Sequence, residues 1–105
     1  MSAEGRLALL ERMVAQGSTD PFHHYARAME LRSLGRLDEA LAAYREVTER
    51  FPDYVPTYLM AGQVAQELGQ PDEARRMLSE GVSRAGAAGD AHALSELRAA
   101  LDALP

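Results

Sequence analysis

The sequence predicts an all-α protein assembled from a repeated pair of antiparallel helices, and three observations carry that prediction. Nineteen Ala and fourteen Leu make up almost a third of the 105 residues, and both are strong helix formers. Five Val, three Thr and no Ile leave too few β-branched residues for a sheet. Finally, Leu34-Gly35-Arg36-Leu37-Asp38-Glu39-Ala40 returns 34 residues later as Leu68-Gly69-Gln70-Pro71-Asp72-Glu73-Ala74. Aligning residues 21–54 with 55–88 gives seven identities, five of them inside that motif and two at Glu46/Glu80 and Arg50/Arg84. Chance matching gives roughly two over such a window.

The elements follow in order. A first helix is expected over residues 3–16, where Leu7, Leu10, Met13 and Val14 form one apolar stripe. Ser18-Thr19-Asp20-Pro21 reads as a turn and a helix start. Asp20 can accept from the free N–H groups, and Pro21 suits a first helical position that has no donor to lose. Helix two then covers 21–34 and helix three 37–51. Leu34 and Leu68 close helices, and Gly35 and Gly69 stand where a helix end needs a left-handed residue. Asp38-Glu39 and Asp72-Glu73 place negative charge on the positive end of the helix that follows. Ala40 and Ala74 come early in that helix, where a methyl group lets it approach the helix before.

Pro52-Asp53-Tyr54 breaks the chain ahead of helix four, 55–68. Helix five, 71–87, opens on Pro71 and ends in the segment from Gly86 to Gly89. Asp90 caps helix six, 91–103, with the stripe Leu94, Leu97, Leu101 and Leu104. Glu46/Arg50 and Glu80/Arg84 are expected to form i,i+4 ion pairs, each worth about 0.2–0.5 kcal/mol.

Charge and composition exclude several functions. Eleven Arg and no Lys face sixteen acids, for a net charge of -5. The one adjacent basic pair, Arg75-Arg76, lies among Asp72, Glu73 and Glu80, so neither nucleic acid nor an anionic membrane is an expected partner. No apolar stretch approaches the ~20 residues a bilayer span needs, and the first six residues lack a signal-peptide core. A single cytoplasmic domain is expected. Zero Cys excludes disulfides, thiol catalysis and cysteine-ligated zinc. Leu, Ile, Val and Phe total only 21 residues, close to the ~20% at which order becomes a concern, so stability must come from closely packed, alanine-lined helices.

Catalytic and metal chemistry find no constellation. His23 and His24 are adjacent and point about 100° apart on a helix, whereas a two-histidine metal face needs i,i+3 or i,i+4 spacing. His92 lies on the last helix. There is no Gly-rich phosphate loop. The paired acids recur with the repeat, which marks them as helix-start residues. No metal, cofactor or enzymatic activity is expected.

A 34-residue helix–turn–helix unit with this punctuation resembles the tetratricopeptide repeat. The family's bulky residue near the start falls on His24 and Tyr58, its small residue on Ala28 and Gly62, and the next bulky site on Leu31 and Ala65. Gly35 and Gly69 fill the inter-helix turn, and Ala40 and Ala74 the small site of the second helix. Tyr44 and Leu78 match its large apolar residue, Val47 and Gly81 the following small or apolar one. Pro52 matches the closing proline, but Gly86 replaces it in the second unit. His24, in place of a hydrophobic aromatic, and Arg27, in place of Leu, depart from the pattern.

The resemblance implies a short α-solenoid of six helices in one domain, 1–105: a half-repeat helix in 1–17, repeats at 21–54 and 55–88, and a capping helix in 90–105. It also implies a binding scaffold whose first helices line a concave face. Carried onto this chain, that face is Phe22, Tyr25, Met29 and Arg32 in unit one, and Pro56, Leu59, Gln63 and Gln66 in unit two. Phe22, Tyr25 and Met29 are spaced i, i+3, i+7 and share one side of the helix, while His24, Ala28 and Leu31 form a separate stripe for packing on helix three. Phe22 and Tyr25 therefore either pack against helix one or helix four, or stand exposed as anchors. A well-known sub-class grips a C-terminal carboxylate through Lys, Arg and Asn. This chain has no Lys or Asn, and Tyr25, Met29 and Met60 occupy those positions. The expected function is binding of a peptide segment or a partner protein's surface in the concave groove. The alternative is a self-associating homodimer formed through the Phe22/Tyr25/Met29 stripe or an end helix.

Overall fold

The computed structural model describes all of residues 1–105 as six helices joined by short turns. They are α1 (Ala3–Ala15), α2 (Pro21–Ser33), α3 (Leu37–Arg50), α4 (Pro56–Glu67), α5 (Pro71–Ala88) and α6 (Ala91–Asp102), with no strand. The punctuation acts as its chemistry dictates. Asp20 accepts from Phe22 N at 2.9 Å, Asp90 from Ala93 N at 3.0 Å, and Ser2 caps α1 through Gly5 N. Gly35 and Gly69 take φ of 75° and 72°, which lets Arg36 N reach Leu31 O at 3.0 Å and Gln70 N reach Ala65 O at 2.9 Å. These bonds satisfy carbonyls that the helix ends would otherwise leave free.

Each helix packs on the next in chain order, and α4 also touches α6. The molecule is therefore an antiparallel stack measuring 36 × 29 × 21 Å. Its core follows the repeat. His24, Ala28 and Leu31 are buried on α2, and Tyr58, Gly62 and Ala65 on α4. Ala40 and Ala74 have no exposed surface at all. His24 fills the aromatic site by a polar route. Its ring lies 5.0 Å from that of Phe51, and Nε2 donates to Ser18 O at 2.8 Å. A buried imidazole is tolerated because its N–H is satisfied.

One expected ion pair forms and one does not. Glu80 pairs with Arg84 at 3.0 Å. Glu46 instead meets Arg27 of α2 at 3.6 Å, and Arg50 lies over the Phe51 ring at 5.4 Å. The correction has a simple cause: Arg27, at the position where the family often has Leu, brings a competing cation from the neighbouring helix.

Glu73 joins α3 to α5, accepting from Arg45 at 2.9 Å and from Arg76 at 2.7 Å. The Arg76 hydrogen bond above all, reinforced by Arg45 and opposed by partial burial, pulls its pKa from 4.5 to about 2. The charged carboxylate favours the folded state, so its contribution is complete above about pH 4.5 and fades as pH falls towards 2. Glu73→Gln is expected to flatten stability across that acid window, by less than about 1 kcal/mol because solvent screens the arginines. Urea midpoints followed through the window check this; equal acid slopes in variant and parent would contradict it.

Tyr44 of α3 is fully buried, and its hydroxyl has no hydrogen-bond partner in the chain. Burial pushes the phenol well above the ordinary tyrosine range, with Tyr25 adding and Arg32 opposing. Leaving such a group unpaired costs free energy that phenylalanine would not incur. Tyr44→Phe is expected to raise stability by about 1 kcal/mol. A lower melting temperature would show that the hydroxyl is held by a bond after all.

Candidate functional site

The first helices of the two units and the terminal helix, α2, α4 and α6, share one side of the stack. Between them lies a groove of about 250 Å³. Tyr25 supplies its wall from α2. Val55, Pro56, Leu59 and Met60 form the floor at the start of α4. Ala93 and Leu97 of α6 close the far side, and Asp90, His92 and Glu96 stand at the rim. The rim is acidic. Asp90 accepts from Ala93 N through one carboxylate oxygen, and Glu96 pairs with His92 one turn earlier.

Tyr25 is both core and groove. Its ring packs 5.5 Å from Tyr54 and 6.0 Å from Tyr44, and it remains only half-buried. Burial, followed by the Tyr54 phenol, raises its pKa against the pull of Arg32. Three aromatic side chains from α2, α3 and the α3–α4 turn thus fix one groove wall rigidly. Arg32 is also immobilised: it donates to Gln63 Oε1 at 3.1 Å and pairs with Glu67. It therefore stitches α2 to α4, and its charge is balanced.

Of the sequence-expected residues, Tyr25, Pro56 and Leu59 come together in this groove. Arg32 and Gln63 are bonded to each other beside it, and Gln66 is exposed outside it. Phe22 and Met29 line a different groove of about 310 Å³, between α1 and α2, with Leu9, Leu10 and Ala26. Phe22 is 51% exposed there, whereas Tyr25 is tucked toward α3. The i,i+3 pair separates because positions three apart still differ by about 60° around a helix, enough to straddle two neighbours.

Met60, expected at a carboxylate-gripping position of the family and not on the concave face, also lines the groove, and Val55 and the α6 residues were not expected there. The sequence shows that Asp90 starts a further helix, but the side of the stack it takes depends on where α5 ends. The widest hollow, about 620 Å³ between α3 and α5, is lined by Thr48, Glu49, Arg76, Glu80 and Arg84, with only Tyr58 and Met77 apolar. Arg84 pairs with Glu80 inside it and with Asp53, and Arg76 with Glu73, so its arginines are already engaged and it is a solvated crevice. No group of three His, Asp or Glu side chains converges anywhere, and His23 is bonded through Nδ1 to Ser18 Oγ at 2.7 Å. No helix is long and apolar enough to cross a membrane.

Paired helices stacked in register, with a groove on the side of the first helices, define a helical-repeat fold. The sequence profile of the tetratricopeptide repeat matches residues 31–101, well over half the chain. The chain belongs to the tetratricopeptide repeat family. It is similar to a tetratricopeptide repeat domain protein from Salinibacter ruber, at 36% identity over 79% of this chain and 84% of that one, with a TM-score of 0.75. A protein from Bordetella parapertussis is 25% identical over 91% of this chain and 84% of its own, with a TM-score of 0.77. PcrH from Pseudomonas aeruginosa shares the fold, with a TM-score of 0.76 over 96% of this chain and 89% of its own at 18% identity. No curated protein matches the chain significantly. The fold in general mediates protein–protein interaction.

Proposed function

We propose that this protein is a non-catalytic, cytoplasmic interaction module that holds a peptide segment of a partner protein in the α2/α4/α6 groove. The observation that carries the proposal is chemical: an apolar hollow of about 250 Å³, walled by Tyr25 and Ala93 with Leu59 in its floor, opens beneath the carboxylates of Asp90 and Glu96. Such a site takes one large apolar side chain and favours Lys or Arg beside it, since no Lys or Arg lines it and Arg32 of α2 is already paired with Glu67. The groove is short, so one engaged segment gives modest affinity, of the order of micromolar, unless a second contact adds to it.

Selection of a random peptide display library on the immobilised protein tests this. Enrichment of peptides with a Leu, Met or aromatic anchor flanked by Lys or Arg is expected. Enrichment of acidic peptides, or of none, would contradict the reading.

A further inference from the structure

The Arg32 guanidinium reaches from α2 across to α4, where it donates to Met60 Sδ at 3.6 Å, to Gln63 Oε1 at 3.1 Å and to Glu67. Positions 60, 63 and 67 are spaced i, i+3, i+7, so one side chain grips two turns of a single face of α4. Nη1 serves Met60 and Gln63 while Nη2 serves Glu67. That arrangement uses the fixed fork of a guanidinium, which the point charge of a lysine ammonium could not reproduce.

The bridge spans a gap. α2 and α4 each pack on α3, whereas their direct contact with one another is slight. Ala28 of α2 and Ala61 and Ala65 of α4 are fully buried, and their methyl groups interlock little, so packing alone constrains the spacing of the two helices weakly. The 34-residue register supplies a contrast. Gln66, the counterpart of Arg32, is exposed, and at that junction α4 and α6 touch directly. One end of the bridge also borders the groove. Met60 lines the hollow beside Leu59 and is only partly buried, a position where its three rotatable bonds would otherwise leave it mobile. Burial and the Tyr54 phenol raise the Tyr25 pKa and Arg32 opposes them, so the guanidinium lies near the wall as well as the floor.

We propose, on the peptide-binding reading of the groove, that Arg32 is the positioning residue that sets which apolar anchor is accepted, by fixing the Met60 side chain and the separation of the Tyr25 wall from the Leu59 floor. Arg32 does not line the hollow itself and acts through Met60 and α4. A fixed wall and floor accept one anchor shape well and others poorly. A loose pair accepts several shapes with less difference between them, and each less tightly because the groove is then ordered only on binding.

Arg32→Lys keeps the charge opposite Glu67 and removes the fork, and Arg32→Ala removes both. The chain has five methionines, so methyl NMR resolves Met60 with no peptide present, and the buried Met77 reports on the fold. In both variants the Met60 methyl is expected to shift and gain mobility while Met77 stays in place. Peptides carrying Leu, Met, Phe or Trp as the anchor in one Arg-flanked sequence give the second readout. The ratio between the weakest and the tightest Kd of the four is expected to narrow at least about threefold in Arg32→Lys. A role in stability alone would weaken all four equally and leave that ratio unchanged, which overturns the proposal. A Met60 methyl indifferent to both substitutions overturns it too. A parent that binds none of the four removes the groove reading and this proposal with it, and is told apart from a failed bridge by the Met60 signal, which needs no peptide.

Discussion

Two glycines of α5, five positions apart, are expected to answer the same substitution with opposite sign. Gly81→Ala should destabilise the protein by about 1–2 kcal/mol, because a Cβ there would lie 2.6 Å from Tyr58 Cβ and 2.9 Å from Leu97 Cδ2. Tyr58 Cβ is fixed to the α4 backbone, so relief requires α5 to move away from both α4 and α6. The overpacking exceeds the roughly 1 kcal/mol that alanine gains over glycine inside a helix. Gly86 has no atom within 4 Å of the corresponding position and no left-handed φ. Gly86→Ala should therefore stabilise by about 0.5–1 kcal/mol. Gly81→Leu should cost more than about 3 kcal/mol, a large share of the 5–15 kcal/mol that a domain typically has. Urea unfolding of the variants decides it. If Gly81→Ala stabilised as Gly86→Ala does, the close approach of the helix pairs would be wrong.

The second large effect concerns binding. Leu59 lies in the groove floor and is only partly buried, in the first turns of α4. Leu59→Asp removes the apolar contact for an incoming side chain and places a carboxylate where that side chain must be desolvated. Affinity for a display-selected peptide is expected to fall at least about tenfold, the equivalent of 1.4 kcal/mol, less than a buried leucine contact is worth. Leu59→Met, which keeps volume and polarity, should bind within about threefold of the parent. Thermal unfolding monitored alongside separates lost binding from lost fold. Equal affinity of all three proteins would remove α4 from the site.

The helices were legible because their boundaries are set locally. Pro21, Pro71, Gly35 and Gly69 impose backbone geometry whatever surrounds them, and the 34-residue recurrence shows that the same solution is used twice. Side-chain partners were less legible. Glu46 and Arg50 have helix-pair spacing, but Arg27 reaches over from the preceding helix and takes Glu46. The groove was half legible. Tyr25, Pro56 and Leu59 follow from which side of each first helix is left over after packing on the second. Phe22 departs to the α1 side because it sits about 60° round the helix from Tyr25, and spacing alone does not say which neighbour each of the two meets. The α6 wall depends on α5 running to Ala88, about a turn past the point matching the end of α3, and only the packed structure shows where that leaves α6.

Nitrogen-15-resolved NMR of the full chain, titrated with the most enriched display peptide, bears most directly on the idea that the first-helix groove is where a partner is read. The amides of Tyr25, Leu59, Met60 and Ala93 should shift together and saturably, while those lining the α3/α5 crevice, such as Thr48 and Ser83, stay in place. Shifts confined to the crevice, or to the α1/α2 face around Leu9 and Phe22, would contradict it.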